Sequence, residues 1–161
     1  MTVSIDRIVA IVGSGLQKSN QFSVQGFPGG NRVDDLICSA PSPGSSYGTF
    51  IWKNSGPGIP LPYEFLVDGM QFSFYDDASK VVSNSLYQWH RSVMTEDYKF
   101  NFLSDYARDI TVNEHDGSGA ITQSRKLINA WCSTYDSVEM SMESMNTLKK
   151  INITVMCERI E

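Results

Sequence analysis

MQFSFYDDASKVVSNSLYQWHRSV, residues 70–93, changes its hydrophobic period halfway along. In the first part Met70, Phe72 and Phe74 alternate with Gln71, Ser73 and Tyr75. That period of two puts one row of side chains on each face of a strand. After Asp76 and Asp77 the apolar residues fall at Val82, Leu86, Trp89 and Val93, an i, i+4, i+7, i+11 stripe on one side of a helix. Either aspartate suits a helix N-cap and the positive end of the helix. The segment therefore predicts a strand running into a helix over about 77–93, whose single apolar stripe must lie on a sheet.

Working outward, the rest reads mainly as strands. INITVMCERIE (151–161) alternates Ile151, Ile153, Val155 and Cys157 with Asn152, Thr154, Met156 and Glu158. A strand so close to the chain's last residue is expected at or near an open sheet edge, whose bare N–H and C=O groups are a template for another chain. Between helix and last strand lie RDITVNEH, the turn DGSG, AITQSRKLINAW, DSVEMSME with Val138, Met140 and Met142 on one face, and the turn SMNT. Short links between adjacent strands mean antiparallel pairing. Upstream, Ser4–Val12 reads as a short N-terminal helix closed by Gly13, NQFSVQG as a strand, and RVDDLICSA as a second strand centred on Leu36–Cys38. About eight strands with one helix between them predict a mainly β chain, a single domain built as a two-sheet antiparallel β-sandwich or barrel with a flanking helix.

The composition shifts sharply at Pro41–Pro62, which holds five of the six prolines and four of the twelve glycines. A compact domain rarely needs a structureless loop of this length. The segment also carries Tyr47, Phe50, Ile51 and Trp52. We read it as an exposed arm or hairpin, with SYGTFIWK as a strand and SGPGIP as a turn, and its aromatics as a partner surface. The alternative is a loop folded back over its own core.

With 161 residues the chain can bury a real core, and 41% hydrophobic with 19% charged residues is ordinary for a globular protein. A net charge of −5 argues against a basic nucleic-acid grip, and leaves open an acidic surface that repels phosphate. No secretion signal and no membrane-length apolar run is expected. Three widely spaced cysteines, Cys38, Cys132 and Cys157, suit buried thiols rather than a disulfide framework or zinc knuckle.

The search for chemistry is negative. Glu114, His115 and Asp116 are consecutive, so a strand would point them to opposite faces, and Asp116-Gly117 is itself a turn signal. GSGLQKSN lacks the spacing of a phosphate loop, DGSG lacks the carboxylates of a calcium loop, and no Gly-x-Ser-x-Gly elbow occurs. Asp76 and Asp77 read as helix-start residues, and Asn152-Ile153-Thr154 as a chance glycosylation match. No catalytic residue, metal site or cofactor is expected, and no enzyme. A strand set that leaves edges bare suits a subunit completed by copies of itself. The candidate self-assembly residues are Tyr47, Phe50 and Trp52 on the arm and Ile151, Ile153 and Val155 on the last strand. Two other classes stay open. One is a monomeric β-barrel holding a small apolar ligand among Met70, Phe72, Phe74 and Trp89; the other is an enzyme using His90.

Taken in order, the segments also resemble a family. A short N-terminal helix leads to Asn20, Phe22 and Val24. Cys38, Ala40, Pro43 and Gly44 then precede the arm, MQFSFYDD enters a helix containing Trp89, and YARD (106–109) opens a run of strands ending on Glu161. This order and spacing is similar to that of the tail-tube proteins of contractile-tailed bacteriophages, related in fold to pyocin tubes and to the hemolysin-coregulated protein of type VI secretion. The resemblance implies a structural protein of the virion tail, made in the bacterial host cytoplasm. It implies six copies in a ring, with neighbouring strands joined into one inner barrel and rings stacked into a hollow tube. The arm and the N-terminal segment would make ring-to-ring contacts and the helix would lie outside the barrel. Sheath, baseplate and tape-measure proteins are the implied partners, with DNA as non-specific cargo and no membrane anchoring. A baseplate-proximal ring or a type VI-like secretion tube is the neighbouring alternative.

Overall fold

The structure is a computed structural model that describes residues 20–136 and 148–161. The N-terminal helix expected at Ser4–Val12, and the strand and turn expected around Val138, Met140 and Met142, lie outside the described residues. In chain order the elements are β1 (Phe22–Gln25), α1 (Asn31–Asp35), β2 (Ile37–Ser39), β3 (Ser45–Trp52), β4 (Ile59–Val67), β5 (Met70–Tyr75), α2 (Val81–Arg91), α3 (Leu103–Tyr106), β6 (Arg108–His115), β7 (Ile121–Tyr135), β8 (Lys150–Met156) and β9 (Arg159–Ile160). Among the described residues, seven strands form one nearly closed antiparallel sheet in the order β1-β6-β7-β8-β5-β2, with β9 added beside β7, while β3 and β4 pair only with each other. The mainly β fold with a flanking helix is as expected.

The long strand β7 makes this closure. Its first part, Ile121 to Ala130, pairs with β6, and its last part, Trp131 to Tyr135, pairs with β8. The change of partner falls beside Asn129, which sits at φ +52°, where asparagine is better tolerated than most residues. Asn129 is held there by its N–H bond to Asp109 Oδ1 (3.2 Å) and by its side-chain amide on Glu158. A strand that bends in this way lets one ladder serve both sides of the barrel.

The two periods of residues 70–93 do what they predict. Met70, Phe72 and Phe74 are buried on one face of β5, and Val82, Leu86 and Trp89 are buried under α2. Phe27, from the turn after β1, fills the space between them. Its ring lies 5.2 Å from Phe72, 4.9 Å from Phe74 and 5.9 Å from Trp89, each edge-on. Edge-to-face contacts suit the ring quadrupoles. The group that the ligand-binding alternative needed as a cavity wall is thus packed on a fourth aromatic. The Trp89 indole N–H donates to the Tyr106 carbonyl at 2.8 Å, which ties α3 to α2.

Three details differ from expectation. The last long strand is not at an edge. β8 lies between β5 and β7, with Met70↔Val155 on one side and Cys132↔Val155 on the other. Ile151, Ile153 and Val155 are fully buried, so burying this row binds the strand into the middle of the sheet. Next, only Ile37–Ser39 of RVDDLICSA is strand, and residues 31–35 form a helical turn. The reason is Asp34, whose carboxylate accepts the N–H groups of Phe27 (3.2 Å) and Gly26 (3.3 Å) and so folds the chain back onto the end of β1. Finally, the helix begins at Val81 with Lys80 in the left-handed region (φ 60°) and no side-chain cap. Asp77 meets the Val82 N–H at 3.4 Å but also takes the Ser79 hydroxyl and the Arg32 guanidinium, and Asp76 turns away to Lys80 and Lys149.

Candidate assembly surfaces

The β3–β4 hairpin pairs from Ser45↔Val67 to Trp52↔Ile59, so it runs beyond Pro62. One register shift, at Gly48/Thr49, leaves Tyr63 as the extra residue of a bulge. A side chain at position 48 would strike Glu64 Cγ at 2.7 Å and Tyr63 Cε1 at 2.9 Å, so glycine is what admits the bulge. Alternation places Tyr47 and Ile51 on one face, where Tyr47 meets Phe65 at 5.4 Å. Phe50 and Trp52 lie on the other, where Phe50 meets Tyr63 at 6.4 Å. Two strands cannot cover both faces. Tyr47 stays 64% exposed, Ile51 66% and Trp52 48%. Ile59, Leu61, Tyr63, Phe65 and Leu66 are exposed as well. An isolated two-stranded ribbon is marginal in water, and a continuous apolar patch marks an interaction site.

The hairpin leaves the sheet through a narrow root. The Arg125 guanidinium donates to the Pro43 carbonyl at 2.7 Å, the Asp68 N–H donates to the Gly44 carbonyl at 3.2 Å, and the Ser46 hydroxyl donates to Asp68 Oδ1 at 3.0 Å. Its two ends are therefore neighbours in space.

Among the described residues, the outer strands of the sheet are others than the one expected: there β1 pairs only with β6, and β2 only with β5. They flank a cleft of about 620 Å³ lined by Phe22, Val24, Ile37 and Cys38, with Asp34 and Asp35 at its side. Burial pushes the Asp34 carboxyl up, against the two N–H bonds that favour its charge.

A second exposed apolar surface follows α2. In the Met94–Leu103 loop Tyr98 is 85% exposed, Phe100 77% and Phe102 82%. The loop is nonetheless well tied. Thr95 N–H donates to the Lys99 carbonyl at 2.8 Å, Asn101 N–H to the Val93 carbonyl at 3.0 Å, and the Asn101 amide to the Ser92 carbonyl at 2.7 Å.

The structure thus separates the six candidate residues. Tyr47, Phe50 and Trp52 stand in solvent on the hairpin, while Ile151, Ile153 and Val155 line the core. Sequence reading gave no role to Tyr63 and Phe65 on β4, nor to Tyr98, Phe100 and Phe102. Their only signal was alternation, which a buried strand shares. Among the chemical candidates, Asp116 is spent on its turn, where Oδ1 accepts the Ser118 and Ala120 N–H groups, both at 2.9 Å. His115 bridges the Ser23 hydroxyl (2.8 Å) and the Gly119 carbonyl (3.2 Å). His90 Nδ1 donates to the Cys132 carbonyl at 3.2 Å. Among the described residues no group of three or more His, Cys, Asp or Glu side chains gathers as a metal site, and no helix is long and apolar enough to cross a membrane.

Among the described residues, the exposed apolar ribbon and the outer strands β1 and β2 are the surfaces that a partner would meet. The chain belongs to the phage tail tube protein family, whose family model matches residues 10–159. Its family and fold are those of structural tube proteins, not enzymes. A comparison with curated protein sequences finds no match. Among solved structures, the chain is similar to one in the PVC sheath–tube complex of an extracellular contractile injection system in its extended state. There the TM-score is 0.70 and the identity 17%, over 99% of this chain and 97% of that one. It is also similar to a chain of the anti-feeding prophage tube-terminating cap, with TM-score 0.67 and 16% identity over 100% and 93%. Hcp1 from Flavobacterium johnsoniae shares the fold more distantly, with TM-score 0.54 and 13% identity over 88% and 93%.

Proposed function

We propose that this chain is the tube subunit of a contractile tail, and that its copies associate into rings, six to a ring, which stack into a hollow conduit. The observation that carries this is the β3–β4 hairpin, whose apolar side chains stand exposed on both faces. Family membership and the fold shared with contractile-system chains support the same reading. The outer strands β1 and β2 of the described sheet are where strands of neighbouring copies would join. Sheath and baseplate proteins are then partners on the outside and at the end of the tube, with a tape-measure protein inside during assembly. The cargo is DNA. At −5 per copy, a ring carries a negative field that keeps phosphates from adhering as they pass.

The test is negative-stain imaging and sedimentation of purified protein at rising concentration. Rings or tubes are expected from the full chain. A variant with Ser45–Val67 excised and Gly44 joined to Asp68 through a short linker should keep its circular dichroism and stay monomeric, since those ends already touch. A full chain that stays monomeric at millimolar concentration refutes the proposal, and an excised chain that still builds tubes refutes the hairpin's part in it.

A further inference from the structure

We propose that residues 77–80 form a two-state hinge at the start of α2. Arg32 holds them as a turn, and once Arg32 is drawn away they join α2 as its first turn.

Three unfavourable features meet here. Lys80 sits in the left-handed region (φ 60°, ψ 20°), which a side chain resists. Asp76 Oδ1 is buried and has no hydrogen-bond partner among the described residues, and an unpaired buried acceptor is unfavourable. The helix also starts without a side-chain cap on its first residue. Its first full bond runs from the Asn84 N–H to the Lys80 carbonyl at 3.1 Å, so the N–H groups of Val81, Val82 and Ser83 precede the ladder.

The alternative lies close by. The Lys80 N–H already donates to the Asp77 carbonyl at 3.1 Å, which closes a turn over 77–80. Asp77-Ala78-Ser79-Lys80 is itself a helix start with aspartate at the N-cap. Moving the Lys80 backbone from the left-handed to the right-handed region would relieve that residue. It would also offer the Val81, Val82 and Ser83 N–H groups the carbonyls of Asp77, Ala78 and Ser79.

Side-chain bonds oppose the change. Arg32 on α1 reaches Asp77 Oδ2 at 2.6 Å and keeps that carboxylate from capping a longer helix. Lys80 and Lys149 hold Asp76 beside it, at 2.8 and 3.2 Å. Arg32 is the tie that another molecule can take. Its side chain is 56% exposed, and Asn31, Asp34 and Asp35 on the same helical turn line the cleft between β1 and β2. A carboxylate arriving there with a partner strand competes with Asp77 for the guanidinium. A ligand shifts a two-state element by the difference in its affinity for the two states, and here a free Arg32 is that difference. The hinge thus passes the filling of the cleft on to α2, a link that rests on the assembly reading above.

The experiment follows amide exchange by NMR in the nitrogen-15-labelled full chain, kept dilute and monomeric. Arg32→Gln should slow exchange at Val81, Val82 and Ser83 on the order of tenfold, because each gains a carbonyl partner. Loss of an ordinary structural ion pair would quicken it instead. Glycine accepts the left-handed state freely, so Arg32→Gln combined with Lys80→Gly should return the three amides to the parent rate. Unchanged or faster exchange in Arg32→Gln, or slowing that survives Lys80→Gly, overturns the hinge. Arg32 is exposed, so the variant should fold, and circular dichroism verifies it. A second measurement needs no change at Arg32. Exchange into the assembled parent, read by mass spectrometry on peptides covering 78–85, should show the same slowing relative to the monomer, and assembled Lys80→Gly should not. Equal slowing in both assembled chains overturns the link to the cleft. A full chain that never assembles refutes the tube reading and the link with it, while the monomer measurement decides the hinge by itself.

Discussion

Asp76 and Lys149 hold each other twice. The Asp76 N–H donates to the Lys149 carbonyl at 3.0 Å, and the Lys149 ammonium lies 3.2 Å from Asp76 Oδ2. Lys80 reaches the same oxygen at 2.8 Å. This knot joins the end of β5, the approach to α2 and the start of β8, and the Asp76 side chain is 1% exposed. Burial pushes its carboxyl up, but the lysines outweigh burial and hold it below the usual carboxylate range. A depressed folded value means the contribution is present above the unfolded value of about 4 and is lost as pH falls through the folded one. Asp76→Asn should therefore cost about 1–3 kcal/mol at neutral pH. The gap from the parent should close below pH ~4, as read from urea midpoints across pH.

Phe27 touches three aromatic rings and is 3% exposed. Phe27→Ala should remove about 3–5 kcal/mol through lost burial and the cavity left behind. Equilibrium unfolding should show a lower midpoint with an unchanged slope, and a loss below 1 kcal/mol would mean that the cluster recloses.

Gly26 ends β1 at φ +110°, and a Cβ there would sit 2.3 Å from the Asp109 carbonyl oxygen of the neighbouring strand. Both the angle and the contact exclude a side chain. Gly26→Ala should destabilise by more than ~1 kcal/mol. Because β1 is an outer strand of the described sheet, hydrogen exchange should quicken first at its ladder with β6.

Burial pushes the Cys132 thiol up to about 12. At pH 8 it should react with a disulfide reagent only when the chain unfolds, so its labelling rate should rise with urea. Fast labelling of Cys132 in the native protein, read by mass spectrometry, would contradict its place in the core.

What could be read in advance was what neighbouring residues decide. Met70, Phe72 and Phe74 must share a face, and Val82, Leu86 and Trp89 must share another, so β5 and α2 were legible. The position of β8 was not. A row such as Ile151, Ile153 and Val155 looks alike in an edge strand and a central one, and only partners far along the chain, Met70 and Cys132, distinguish them. The helical turn at Asn31–Asp35 depends on the reach of Asp34 to two amides in a preceding turn, which no period encodes. The candidate surface divided in the same way. Aromatics among prolines, as at Tyr47–Trp52, announce themselves as exposed. The rings of Tyr98, Phe100 and Phe102 alternate as a core strand would, while Asn101 between them is tied to Val93 and Ser92 and the rings stand in solvent.

The narrow root of the hairpin has a mechanical meaning. Gly44 and Asp68 meet through a single backbone bond, and a stiff ribbon some 26 Å long extends beyond them. It is a lever with a short pivot: a tilt of about 10° there moves the far end by roughly 4–5 Å while every rung of the ribbon stays intact. In the tube proposed above, rocking such levers would let the filament flex under load without loosening the barrel that each one is anchored to.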